Sequence, residues 1–327
     1  MNIKKVIILN LFIIVILLLI AEISSFLTVY KKHENVLKIS NIGKSEDEPK
    51  NEIAYKLPII FNYDNYKQHF EKAENKNNKK RPIILFGCSF IEGLDIKTID
   101  PAQTVTQQLS KATKRNVYSR AVGGSGPQFM YYQLNNNDIK QEIPDAEYII
   151  YNYMDYHPFR LYFYTISFCD TDINLRYEYK NGKLNEVKPL FPLLYSSFLV
   201  KNIQNKIADH KKEKDKEYKL FKEIMKESYK QAKIKYPDAK FIVLVSSSGT
   251  YVYDSKNFKA EIPLTEDCEL PADLEKYLME IGFIVINKED LCGKKIRSIK
   301  YRAIDENHPN GLFWEAIIPP LVKKLNL

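Results

Sequence analysis

Ser89 stands in the run Leu85-Phe86-Gly87-Cys88-Ser89-Phe90-Ile91-Glu92-Gly93, where an apolar segment leads directly into a serine between glycines. A strand of an open α/β sheet ending there would deliver Ser89 to the edge where ligands usually bind, a position suited to a nucleophile. The same position suits a serine capping the next helix. Gly93 lies four residues on, so the pattern departs from a G-x-S-x-G elbow. A serine nucleophile needs a base, and the chain has five His. His33 adjoins an apolar N-terminal segment, His69 falls in a polar tether and His210 in a Lys-rich helix, which leaves His157 and His308 in the folded body. His308 closes Asp305-Glu306-Asn307-His308, just before the terminal helix. A D-x-x-H spacing recurs by chance and a surface-loop histidine is the alternative, but its place in the chain adds weight.

A third stretch, Ala121-Val122-Gly123-Gly124-Ser125-Gly126-Pro127-Gln128, holds three of the eleven Gly within four positions. Backbone freed of side chains there can approach a ligand and offer N–H groups to a developing oxyanion, or it can simply turn. A phosphate loop is disfavoured, since neither G-x-G-x-x-G nor a Walker Gly-Lys-Ser/Thr is present.

These residues need elements to hold them. Short apolar runs at Ile83–Phe86, Tyr148–Tyr153, Phe241–Val245 and Phe283–Ile286, with a weaker one around Val117, alternate with helical patterns near 103–113, 127–139, 218–235 and 271–281. Continuous apolar strands separated by helices predict a parallel sheet covered on both faces, in one α/β domain over 82–327. Residues 157–239 are additional to that alternation. They contain an Asn181-Gly182 hairpin signal and a long helix whose Tyr218, Phe221, Met225, Tyr229 and Ala232 keep helical spacing after a polar Lys206–Glu217 stretch.

The N-terminus is segregated. Val6–Ala21 is apolar except at Asn10, and apolar character runs on to Tyr30 behind Lys4 and Lys5. Carried to Tyr30, a helix exceeds the roughly 30 Å of a bilayer core; a cleavable signal peptide is the alternative, but no small-x-small cleavage site follows. Residues 1–30 are therefore expected to be a single-pass transmembrane signal-anchor with the body extracytoplasmic, and residues 31–81 a polar tether. Cys268 and Cys292 would pair in an oxidising compartment, but four dispersed Cys suit reduced residues equally.

Composition excludes collagen-like, disulfide-scaffold and wholly disordered classes, with 45% hydrophobic residues and four Cys. The net charge of +8 is unevenly spread: residues 1–80 carry 13 basic and 9 acidic side chains and residues 196–240 carry 13 and 7, leaving the rest with 23 against 25. The excess belongs to the tether and one helix, which argues against nucleic acid as the partner of the site.

Taken together, these blocks resemble the SGNH/GDSL hydrolase family. Phe86-Gly87-Cys88-Ser89-Phe90 with Gly93 is similar to its first block, Val122 to Gln128 to its second and Asp305 to His308 to its last, in the family's order. The resemblance implies a three-layer, flavodoxin-like SGNH fold with a parallel sheet, here preceded by the N-terminal transmembrane helix. It implies Ser89 as nucleophile, His308 as general base and Asp305 as the group orienting the imidazole. The Ser89 and Gly124 N–H groups would form the oxyanion hole.

Two positions depart from the family pattern. Cys88 replaces the usual Asp before the nucleophile. The Gly-x-Asn-Asp turn expected after the third strand is absent from Tyr148 to Arg160, where His157 is the available oxyanion donor and Asn152 falls within the strand. The expected activity is hydrolysis of acyl esters of a glycan, lipid-like or other envelope substrate, with no cofactor and no metal. An O-acyltransferase of surface polysaccharide and a catalytically silent SGNH-fold binding module are the alternatives.

Overall fold

The computed structural model describes residues 15–24, 63–75, 79–93, 96, 100–136, 138–154, 157–161, 175–187, 214–246, 270–293, 296 and 308–327. The chain divides into two units, and the larger comprises Asn62–Tyr162, Leu175–Val187 and Glu213–Leu327. Of the other unit, residues 15–24 are described and are helical. Among the described residues no helix is long and apolar enough to cross a membrane, and the rest of the expected anchor lies outside them.

The larger unit begins earlier than the change of texture at Pro82 had placed it. Within the expected tether, α1 (Tyr63–Lys67) leads to β1 (Glu71–Ala73), which pairs antiparallel with a strand of the main sheet. Polar composition hid this piece because an edge strand of three residues needs only one inward apolar side chain, here Ala73, while Tyr63 and Tyr66 bury their rings against Phe129.

From there the chain follows the alternation expected of it. It runs through β2 (Ile83–Phe86), α2 (Ser89–Glu92), α3 (Val105–Thr113), β3 (Val117–Ser119), α4 (Pro127–Asn135), α5 (Asp138–Glu142) and β4 (Tyr148–Met154). A hairpin of β5 (Tyr177–Lys180) and β6 (Lys183–Glu186) follows, then α6 (Lys214–Lys235), β7 (Lys240–Ser246), α7 (Ala272–Ile281), β8 (Ile284–Asn287), α8 (Lys288–Cys292) and α9 (Gly311–Leu325). Asn181 and Gly182 both have positive φ, the backbone a type I′ turn demands.

Among the described residues the main sheet has strand order β1-β3-β2-β4-β7-β8, parallel except for β1. Counting parallel strands alone, the order is second, first, third, fourth, fifth, the flavodoxin-like arrangement. The chain leaves β2 in one direction and β4 in the other, so a crevice opens between their carboxyl ends.

Every residue of β2 and β4 is buried, as a strand covered on both faces requires. The two faces divide by parity. Ile83, Leu85, Tyr148, Ile150, Ile242, Leu244 and Ile286 pack with Leu109 of α3 and with Trp314, Ile317 and Leu321 of α9. On the opposite parity, Tyr153 meets Phe221 of α6 edge-on at 5.5 Å and Phe241 stacks near Tyr229 at 6.2 Å. Fully burying a large apolar side chain contributes roughly 1.5–3 kcal/mol, so Trp314 at 1% exposure anchors α9, the helix that follows His308.

Candidate active site

β2 stops at Phe86, and Gly87 turns the chain out of the sheet. A Cβ at Gly87 would lie 2.8 Å from Ile91 Cγ1 and 3.2 Å from Asn152 Cβ, so glycine alone lets α2 fold back this closely. Ile91 and Glu92 donate their N–H groups to the Cys88 carbonyl at 2.9 and 3.1 Å. Gly93, left-handed at φ 67°, closes the turn by donating to Ser89 O at 2.9 Å. Ser89 thus opens a single helical turn at the crevice between β2 and β4, and it is 7% exposed.

The Ser89 hydroxyl lies 2.7 Å from His308 Nε2. That distance lets an imidazole take the hydroxyl proton as the oxygen attacks. The His308 ring also packs against Phe90, with centroids 5.5 Å apart. Its place is set by α9, whose cap Asn310 accepts the Phe313 N–H at 3.1 Å, while Gln108 on α3 donates to Gly311 O at 3.0 Å. Asp305, expected to orient this imidazole, lies outside the described residues.

The Gly-rich loop follows β3 and is fastened to the Ser89 segment. Val122 N–H donates to Gly87 O at 3.3 Å, the Ser125 hydroxyl donates to the same carbonyl at 2.7 Å, and Gly123 N–H donates to Glu92. Arg160 Nη1 donates to Ser125 O at 2.8 Å from the far side. Gly124 sits at φ 72°, a left-handed conformation that a side chain would strain. Among the described residues, neither the Ser89 nor the Gly124 N–H has an acceptor. An unspent backbone N–H is the kind of donor an oxyanion requires.

His157 sits elsewhere than an oxyanion donor would. It is 0% exposed, between the rings of Tyr151 and Tyr153. Its Nδ1 is 2.6 Å from the Tyr151 hydroxyl and 3.3 Å from Met154 N. Because a backbone N–H can only donate, Nδ1 accepts, and the proton of the neutral ring sits on Nε2. Burial, reinforced by the nearby Arg160 charge, holds its pKa well below the ordinary imidazole value. A ring enclosed in this way presents nothing to a substrate, so His157 serves the core beneath the site.

Asn152 lies within β4, as expected, with its Oδ1 accepting from the Ser246 hydroxyl at 2.6 Å and from Lys288 Nζ at 2.8 Å. Cys88 is fully buried against Phe90 and Met154, a packing position. Cys268 lies outside the described residues, and the Cys292 thiol donates to Ala316 O at 3.1 Å.

Sequence reasoning passed over two residues near the loop. Glu92 is a carboxylate in an otherwise apolar turn, one helical turn after Ser89, and that contrast was the available signal. His69 bonds to Glu92 through Nδ1 at 2.8 Å, from a segment whose polar composition marked it as tether.

No protein-family model matches the sequence, and no curated protein does. Solved structures with a similar fold include a member of the lipolytic protein G-D-S-L family from Veillonella parvula, at 11% identity and a TM-score of 0.42, covering 76% of this chain and 99% of that one. The psychrotrophic esterase EstA from Pseudoalteromonas is 10% identical with a TM-score of 0.39, over 76% of this chain and 100% of that one. A carbohydrate esterase family 2 enzyme of Corynascus thermopiles is 12% identical with a TM-score of 0.40, over 78% and 69% of the respective chains. Many of the structural neighbours are G-D-S-L lipolytic proteins or esterases. At such identities the likeness is one of fold, and the chemistry is carried by this chain's own residues.

Proposed function

We propose that this protein is a serine ester hydrolase of SGNH type that removes acyl groups from a glycan or another envelope ester, held at a membrane by its N-terminal apolar segment. The observation that carries the reading is the 2.7 Å contact between Ser89 Oγ and His308 Nε2 at the crevice of the sheet. His308 takes the hydroxyl proton as Ser89 Oγ bonds to the ester carbonyl carbon. The carbonyl electron pair moves onto oxygen, facing the Ser89 and Gly124 N–H groups. Collapse of that adduct breaks the bond to the alcohol oxygen, to which His308 returns its proton, and leaves Ser89 acylated. Water then repeats the sequence through His308 and frees the acid. Asp305 has the role of orienting His308 and stabilising its cation.

The membrane element rests on the uninterrupted apolar character of residues 11–21 behind Lys4 and Lys5. The glycan element rests on the extracytoplasmic orientation those lysines favour, which faces the body toward envelope polymers.

The test is hydrolysis of a short-chain aryl ester by the full-length chain and by Ser89→Ala and His308→Ala, with fluorophosphonate labelling of Ser89 alongside. Loss of turnover in both variants, and of labelling in Ser89→Ala, is expected. Equal turnover in all three proteins overturns the reading.

A further inference from the structure

Resting on the hydrolase reading, we infer that Glu92 and His69 form a positioning pair that fixes the Val122–Gly123 peptide and through it aims the Gly124 N–H of the next peptide at the oxyanion. Glu92 is 1% exposed, and a buried carboxylate is costly unless several donors compensate it. It has two here. One is the Gly123 N–H, from the residue immediately before Gly124, and the other is His69 Nδ1 at 2.8 Å.

The placement of these donors gives the pair its task. Along the loop, Val122 N–H is spent on Gly87 O, Gly123 N–H on Glu92 and Ser125 N–H on Val122 O at 3.0 Å. Between those bonds the Gly124 N–H is left with no acceptor among the described residues. Glycines at 123 and 124 have little torsional resistance of their own, so the peptide between them takes its direction from the bonds that fix the peptides on either side. Glu92 supplies the bond on the Val122–Gly123 side from the same helical turn that begins with Ser89, which ties the loop donor and the nucleophile into one frame.

His69 completes the frame. A carboxylate one peptide away from a forming oxyanion opposes it by like-charge repulsion, and a hydrogen bond from His69 draws the Glu92 charge away from the loop. His69 follows α1, so the edge segment 63–73 contributes to the site as well as to the sheet.

The experiment compares the full-length parent with Glu92→Leu, Glu92→Gln, His69→Ala and His69→Asn. Each is measured for kcat and KM on a short-chain aryl ester and for inhibition by a trifluoromethyl ketone, which forms an oxyanion adduct with an active serine. Glutamine keeps an acceptor for the Gly123 N–H, and asparagine places an amide where His69 Nδ1 stands. Glu92→Leu is expected to lower kcat roughly 10- to 100-fold and weaken the ketone by a similar factor, with KM within about twofold. Glu92→Gln is expected to stay within about fivefold of the parent. His69→Ala should fall about tenfold in kcat, with His69→Asn recovering most of the loss.

A folded Glu92→Leu protein with parental kcat and ketone affinity overturns the inference, as does a Glu92→Gln protein as impaired as Glu92→Leu. A parent that neither turns over ester nor labels with fluorophosphonate overturns the hydrolase reading, and this inference with it. A labelling parent with unaffected variants overturns the inference alone.

Discussion

The ammonium group of Lys288 sits 4.5 Å from the centre of the Trp314 ring and 4.9 Å from that of Phe313. Lys288 is 2% exposed and also bonds Asn152 Oδ1 and the Ser246 hydroxyl, so one side chain ties the end of β8 to β4, β7 and α9. Lys288→Met keeps the stem volume and removes the charge. Asn152 and Ser246 remain bonded to each other and no buried charge is orphaned, so the cost is modest, about 1–2 kcal/mol. Urea unfolding should show a lower midpoint at an unchanged slope.

Gly87→Ala tests how tightly α2 is packed. The new methyl would press on Ile91 and on Asn152, both in the buried interior. Overpacking of this kind costs about 1–3 kcal/mol. Relief by movement of α2 would carry Ser89 with it, and a displacement of about 1 Å is expected to lower kcat/KM roughly 100-fold. Thermal unfolding and aryl-ester kinetics on one preparation measure both effects.

Two left-handed glycines separate strain from catalysis. Gly124 has φ 72° and Gly182, at the tip of the β5–β6 hairpin with open space around it, has φ 74°. Alanine at either position should cost about 1 kcal/mol in stability through the same backbone strain. Gly124→Ala should in addition lower kcat roughly 10- to 100-fold, since it disturbs the proposed oxyanion donor, and Gly182→Ala should leave kcat unchanged.

His157 makes stability depend on pH. The folded ring stays neutral where the unfolded one takes up a proton, because burial holds its pKa well below the ordinary value. The native state therefore binds fewer protons, and stability rises with pH up to the unfolded value of about 6.5. Below that value it falls by roughly 1.4 kcal/mol per pH unit from this one group, until the folded pKa is reached. His157→Asn keeps an acceptor for Tyr151 without titrating near neutrality. Its urea midpoint should fall less than the parent's between pH 7.5 and 5.5.

Much of this was legible in the residues because it is local. Ile83–Phe86 reads as a strand from its unbroken apolar run, Asn181-Gly182 as a turn because both positions accept positive φ, and Pro127 after Gly126 as a helix start. Ser89 could be placed at a strand's carboxyl end for the same reason. The likeness of the three blocks added a pairing of Ser89 with His308 that no periodicity contains.

What the sequence determined by itself was the alternation of strands and helices and the types of residue set between them, since backbone propensity and burial pattern act over a few positions. Tertiary structure decided the rest. The 2.7 Å approach of His308 to Ser89 spans 219 residues and depends on α9 packing beneath β2. His69 became part of the site only because β1 adds to the sheet edge, and Glu92 only because its turn faces the Gly loop. His157 turned inward because Tyr151 and the Met154 N–H offered its Nδ1 two donors in a buried space. Side-chain direction follows from whichever distant partners satisfy a buried polar atom, and those partners exist only once the chain has folded.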